Sequence, residues 1–98
     1  MQTYSTADVT RLTGASFRQL DYWDRTGLIS PSIRQASGTG MPGRRYSSED
    51  LARTRVIVAL LRLGVSIQRI RRDGDPRKTV IRLLLSLSDP ELLGETAA

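Results

Sequence analysis

The apolar positions of the chain fall into short clusters separated by serine, glycine and proline. Ser5 or Thr6 can cap a first helix, with Asp8 in its first turn and Val9 and Leu12 three residues apart on one face. Gly14 ends it. Ser16 caps a second helix, whose predicted apolar stripe is Phe17, Leu20 and Trp23 and which ends at Gly27. Two short amphipathic helices across the turn Gly14-Ala15 read as a helix-turn-helix, the second being the recognition helix. With Leu20 and Trp23 on the core side, Arg18, Gln19, Tyr22 and Arg25 take the opposite face. Such side chains can donate to phosphates and base edges. An ordinary solvated helix face would look the same.

Residues 37 to 43, Ser-Gly-Thr-Gly-Met-Pro-Gly, cannot continue a helix. Their flanks, residues 32–34 and 44–46, predict a two-stranded hairpin with a long tip. A hairpin is not stable alone, so it must pack on the helices. Arg34, Arg44 and Arg45 sit on its legs. A hairpin with arginines at its base, beside a helix-turn-helix, is the wing of a winged helix.

A third helix is predicted from about residue 48 to 63, opened by Ser47, Ser48, Glu49 and Asp50 and closed by Gly64. Leu51, Thr54, Ile57, Leu60 and Leu61 give it a core face. Val56, Val58, Ala59 and Leu63 make its second half apolar almost all round. Ser66 caps a fourth helix, residues 67–72, which buries Ile67 and Ile70 and shows Arg69, Arg71 and Arg72. Asp73-Gly74-Asp75-Pro76 is a break and a restart, with Asp75 as cap and Pro76 in the first turn. The fifth helix, residues 77 to about 88, carries Val80, Ile81, Leu83, Leu84, Leu85 and Leu87. Asp89-Pro90 begins a last short turn through Leu92 and Leu93, and residues 94–98 are expected to fray. The expected fold is mainly α: a winged helix-turn-helix with a small two-stranded β wing and a short C-terminal helix. Residues 1–73 would be the DNA-binding domain and 74–98 a helical extension for packing or oligomerisation.

At 98 residues the chain is one domain's worth. It holds neither cysteine nor histidine. That excludes disulfides, thiol chemistry, zinc and haem ligation by these residues, and Ser-His-Asp or Cys-His catalysis. The ten carboxylates form no evident catalytic pair, so neither an enzyme nor a metal or cofactor site is expected. The polar N-terminus predicts no signal peptide, and the longest apolar run, residues 56–61, is too short to span a membrane. A cytoplasmic protein with no membrane partner is expected.

Charge adds direction. The net charge is +5, and 14 of the 15 basic residues are arginine. Residues 1–72 hold 12 basic and 5 acidic side chains, against 3 and 5 in residues 73–98. The arginine bias fits a GC-rich genome. It also suits bidentate contacts to phosphate and guanine, and a basic body is the usual footprint of a nucleic-acid binder.

The chain resembles the DNA-binding domain of the MerR family of bacterial transcription regulators. The resemblance is carried by Tyr4-Ser-Thr-Ala-Asp-Val9, by Leu12-Thr-Gly-Ala-Ser16 and by Arg18-Gln-Leu-Asp-Tyr-Trp-Asp-Arg-Thr-Gly-Leu-Ile29. Arg44-Arg-Tyr-Ser-Ser-Glu-Asp-Leu51 and Leu63-Gly-Val-Ser-Ile-Gln-Arg-Ile70 complete it, in order, over about residues 4–72. It implies a winged helix-turn-helix on double-stranded DNA. Arg18, Tyr22, Arg44 and Arg69 would meet the DNA, with Tyr22 on backbone phosphate. Arg25, Arg34, Arg45, Arg71 and Arg72 are further electrostatic candidates. RNA polymerase is a further partner implied by the family.

Three features depart from the family pattern. Asp21 stands where a basic residue is common, and would accept from a cytosine amine or orient Arg18 or Arg25. Gly43 replaces an aromatic before the wing arginine, and the wing tip is long. The fifth helix is short where the family has a long coiled-coil helix, and the sequence carries no effector domain after it, which fits either a short protein or a piece of a longer one. The third and fifth helices carry an apolar excess at Val58, Leu61, Leu83, Leu84 and Leu87; part of it is expected to be covered as the fifth helix folds back on the third, and the remainder predicts an oligomer interface. A homodimer or a head-to-tail chain on DNA is expected, with a self-contained monomer as the alternative. The function expected is sequence-specific DNA binding as a transcription regulator. The alternatives are an architectural or excisionase-like DNA-bending protein, or a protein-interaction module on the same fold.

Overall fold

A computed structural model describes residues 2–36 and 42–88, without the side chains of residues 34–36, 42 and 43. The expected tip of the hairpin and the expected last turn after residue 88 lie outside the described residues. The fold is mainly helical, as expected. Its elements are α1 (Thr6–Thr13), α2 (Phe17–Arg25), β1 (Ile33–Ala36), β2 (Pro42–Arg45), α3 (Ser48–Arg62), α4 (Ile67–Asp73) and α5 (Pro76–Ser88). They form two compact units, residues 1–59 and residues 60–98.

In the first unit, local chemistry sets the helix ends. The Ser5 hydroxyl accepts from the Asp8 N–H at 3.1 Å, and the Asp8 carboxylate accepts from the Ser5 N–H at 3.1 Å. This reciprocal box satisfies two amide donors that the first turn leaves open. The backbone and hydroxyl of Ser5 together hold the Asp8 carboxyl below its usual range, helped by Arg11. Gly14 ends α1 at a φ of 85°, which favours glycine because no Cβ opposes it. The turn is tied by Thr13, whose hydroxyl donates to the Val9 carbonyl at 2.7 Å and accepts from the Ala15 N–H at 3.1 Å. α2 then starts from Ser16, and α1 packs on α2.

The buried side chains of this unit include Val9, Ala15, Leu20, Trp23, Ile29 and Tyr46. Phe17 is not among them. It is 57% exposed, so the predicted stripe of three is a stripe of two. The cause is geometric: residues six apart on a helix are separated by about 120° around the axis, so Phe17 and Trp23 do not share one face. Leu20 and Trp23 take the core.

β1 and β2 pair antiparallel, with Ile33 opposite Arg45 and Arg34 opposite Arg44. Tyr4 and Tyr46 extend the pairing by an isolated bridge, with backbone bonds of 2.8 Å in both directions. The loop after α2 is anchored by Asp50. Its carboxylate accepts from the Ser32 N–H at 2.8 Å, the Ser32 hydroxyl at 2.7 Å and the Ser47 N–H at 2.8 Å. Burial pushes this carboxyl up, but those hydrogen bonds outweigh it and hold it below the usual aspartate range.

The second unit joins the end of α3, α4 and α5. Ser66 caps α4, and Gly74 ends it at a φ of 86°. Asp75 and Pro76 open α5, as expected, the Asp75 carboxylate accepting from the Arg77 N–H at 2.9 Å. α5 packs on α4, and the polar tie between them is Asp73. Its carboxylate accepts from the Thr79 hydroxyl at 2.6 Å and from Arg82 at 2.8 Å. The Thr79 hydrogen bond, with the charges of Arg82, Arg69 and Arg72, holds Asp73 below its usual range although it is buried.

Candidate nucleic-acid interface

The rotation of α2 decides which side chains it offers. Its cap is closed in both directions: the Ser16 hydroxyl accepts from the Gln19 N–H at 3.0 Å, and Gln19 Oε1 accepts from the Ser16 N–H at 2.9 Å. Burial of Leu20 and Trp23 then fixes the helix phase. Arg18, Tyr22 and Arg25 project from the opposite side and are exposed, as is Gln19. Gln19 has its oxygen engaged in the cap, which leaves its amide nitrogen as the free function.

The cations of this region divide sharply. Arg18 is exposed and makes no ion pair or hydrogen bond among the described residues. Tyr22 is 53% exposed, about one turn further along on the same side. Arg25 instead pairs with Asp21 at 2.9 Å. Arg44, on β2, reaches α2 and bridges two carboxylates. It lies 3.1 Å from Asp21 Oδ1 and 3.3 Å from Asp24 Oδ2, and the Asp24 side chain is nearly buried. Asp21 therefore orients Arg25, one of its two expected partners, and Arg44 in place of Arg18. Its negative charge is matched within the chain.

Arg45 is a latch. Its guanidinium donates to the Thr3 hydroxyl at 2.9 and 3.1 Å and to the Thr3 carbonyl at 3.3 Å, beside the Tyr4–Tyr46 bridge. Arg34 stands opposite Arg44 in the strand register, and its side chain lies outside the described residues.

The second unit has its own basic group. α4 carries Arg69 and Arg71, both half-buried, and Arg72, which is exposed. Asp73 ends the same helix. An acid at a helix C-terminus opposes the helix dipole and needs a cationic or hydrogen-bonding partner. That was the sequence signal for the Asp73–Thr79–Arg82 cluster, which the reading of residues 73–76 as a simple break missed. The Asp50–Ser32 tie and the Asp24–Arg44 pair carried no comparable local signal, because their partners are 18 and 20 residues away.

Of the residues expected at an oligomer interface, Val58 is buried within the chain. Leu61 and Leu83 are half-buried. Leu84 and Leu87 are 60% and 74% exposed, and Ile81 and Leu85 are also exposed on α5. Among the described residues no cluster of acids could hold a metal ion, and no helix is long and apolar enough to cross a membrane.

The model of the MerR HTH family of regulatory proteins matches residues 4–72. An uncharacterised HTH-type transcriptional regulator of Mycobacterium tuberculosis is 44% identical over 61 residues, which is 62% of this chain and 27% of the relative. Nodulation protein NolA of Bradyrhizobium sp. (strain NC92) is 39% identical over 72 residues, 74% of this chain and 29% of its own. The HTH-type transcriptional regulator HmrR of Sinorhizobium medicae is 31% identical over 64 residues, 65% of this chain and 41% of its own. The chain thus spans less than half the length of each of these relatives. The chain belongs to the MerR family of helix-turn-helix regulatory proteins, a family of DNA-binding transcription regulators.

Proposed function

We propose that this chain binds double-stranded DNA sequence-specifically and regulates transcription, with α2 as the helix that enters the major groove. The observation that carries this reading is the exposed face of α2. Arg18 and Tyr22 stand free opposite the buried Leu20 and Trp23, at the beginning and middle of the helix. The N-terminal half of a recognition helix is the part that meets base edges. Arg18 has the bidentate donor geometry for guanine, and Tyr22 can donate to a phosphate. In the second unit, Arg69, Arg71 and Arg72 supply a second basic group for phosphates.

The strand pair is read as the wing. Arg44 serves in it chiefly as a positioning residue, since two carboxylates of α2 already hold its guanidinium. Its role is to fix β2 against the reading helix, with only a minor share in phosphate contact. Arg45 likewise secures the strand to the N-terminal segment through Thr3.

The exposed leucines of α5 fit a second copy of the chain, which would place two reading helices on one DNA. RNA polymerase would be the downstream partner of such a regulator. Asp21 bears on the competing reading of a protein-interaction module. An unmatched acid on this face would repel phosphate, whereas Asp21 here is matched by Arg25 and Arg44.

The test is selection of bound duplexes from a random library, followed by affinity measurement at fixed salt. A regulator binds its selected site at least about 10³-fold more tightly than unrelated DNA. Tight but unselective binding would favour an architectural DNA-bending protein. Affinity insensitive to salt would remove the DNA reading altogether, since each neutralised phosphate contributes a slope of about −0.9.

A further inference from the structure

Phe17 is the first residue of α2, and the fold gives its side chain no core to enter. The closed capping box of Ser16 and Gln19 fixes the turn that carries it. Leu20 and Trp23 are buried, while Phe17 remains 57% exposed. Its neighbours along the exposed surface are Arg18, next in sequence, and Asp21, one turn on. Both are charged, and among the described residues of the first unit Tyr22 is the one other exposed large hydrophobic side chain, so no large apolar patch surrounds Phe17 there.

A single exposed ring set among charged groups suits a surface that is itself polar with isolated apolar spots. The major groove is such a surface. Its base edges offer hydrogen-bonding groups everywhere except at the C5-methyl group of thymine, the one apolar feature that side chains read there. The beginning of a recognition helix is the segment that reaches base edges. We infer that Phe17 is a specificity-determining residue whose ring packs on the C5-methyl of a thymine, next to the base contacted by Arg18. This rests on the reading of α2 as the helix that enters the major groove.

The test uses the duplex obtained by selection with the chain. Each thymine of the site is replaced in turn by deoxyuridine, which lacks only the methyl group. One replacement is expected to weaken binding by the unaltered chain about fourfold, the worth of one buried methyl. The same replacement should leave the affinity of Phe17→Ala unchanged, because the contact is already gone. Phe17→Leu, which keeps an apolar contact, should retain part of the penalty, and circular dichroism should show all three proteins equally folded. The inference is overturned if no single deoxyuridine weakens binding, or if the penalty persists undiminished in Phe17→Ala. A site that is selected but indifferent to thymine methyls removes only the role of Phe17. Failure of any site to emerge removes both this role and the reading of α2.

Discussion

α2 and α5 are both short helices rich in large side chains, and the chain treats them differently. α2 is resolved by its own unit: Leu20 and Trp23 go inside, and the exposed side carries Arg18, Tyr22 and Arg25. α5 is tied by polar contacts of Asp73 with Thr79 and Arg82, yet leaves Ile81, Leu84, Leu85 and Leu87 in solvent. The exposed chemistry of α2 is donors on an aromatic and cationic face, which suits nucleic acid. The exposed chemistry of α5 is aliphatic, which suits another helix. α2 thus turns its apolar side chains inward and its polar ones outward, whereas α5 keeps four large apolar side chains exposed.

The buried side of α2 is the most sensitive to substitution. Trp23→Ala should destabilise the first unit by about 3–5 kcal/mol, a large share of what a domain this size possesses. Urea denaturation followed by circular dichroism measures it. A loss under about 1 kcal/mol would mean that Trp23 does not set the helix phase.

Next in size is the buried anchor that shapes the exit from α2. Asp50→Asn keeps one acceptor but loses the charge that Ser32 and Ser47 surround, at a cost of about 1–3 kcal/mol. The pH dependence has a definite sign. Asp8, Asp50 and Asp73 all lie below the ordinary value of 3.8. Their stabilisation is complete above that value and is lost as the pH falls through their lower folded values. Acid denaturation of Asp50→Asn should be shallower than that of the parent chain. An identical acid transition would mean that Asp50 contributes nothing through its charge.

α5 is tested on its exposed side. Leu84→Glu should leave folding stability within about 0.5 kcal/mol, as exposed substitutions do, while shifting sedimentation toward monomer. Unfolding by this change would show that Leu84 belongs to the core of the second unit.

The smallest effect concerns Arg44. Its charge is already matched by Asp21 and Asp24, so Arg44→Ala should change the salt slope of DNA binding by less than the roughly 0.9 of a full phosphate contact. It should also weaken binding to all sequences alike, through loss of the strand's position. A change of slope near 0.9 would make Arg44 a phosphate contact first.

Legibility in the sequence followed the range of the interactions. Ser5, Ser16, Ser66, Gly14 and Gly74 act within three or four residues, so the ends of α1, α2, α4 and α5 could be read to within a residue or two. Arg18 and Tyr22 could be placed as soon as Leu20 and Trp23 were recognised as the buried pair. Phe17 was misplaced because a spacing of three, repeated, drifts away from a single helix face. Arg44 and Arg45 read as DNA contacts and Asp50 as a first-turn acid because their partners lie in other elements, and nothing local distinguishes an arginine held by Asp24 from one held by phosphate. Val58 was assigned to an interface because apolar residues in excess along α3 do not say which of them the chain itself covers.

Parallel selections from one random duplex library, with the parent chain and with Arg18→Ala, decide whether the exposed face of α2 reads DNA sequence. Both should enrich the same site except at one base pair, where Arg18→Ala loses its preference and about 1–3 kcal/mol of affinity. The same site, enriched with the same preference at every position and equal affinity, would contradict the claim.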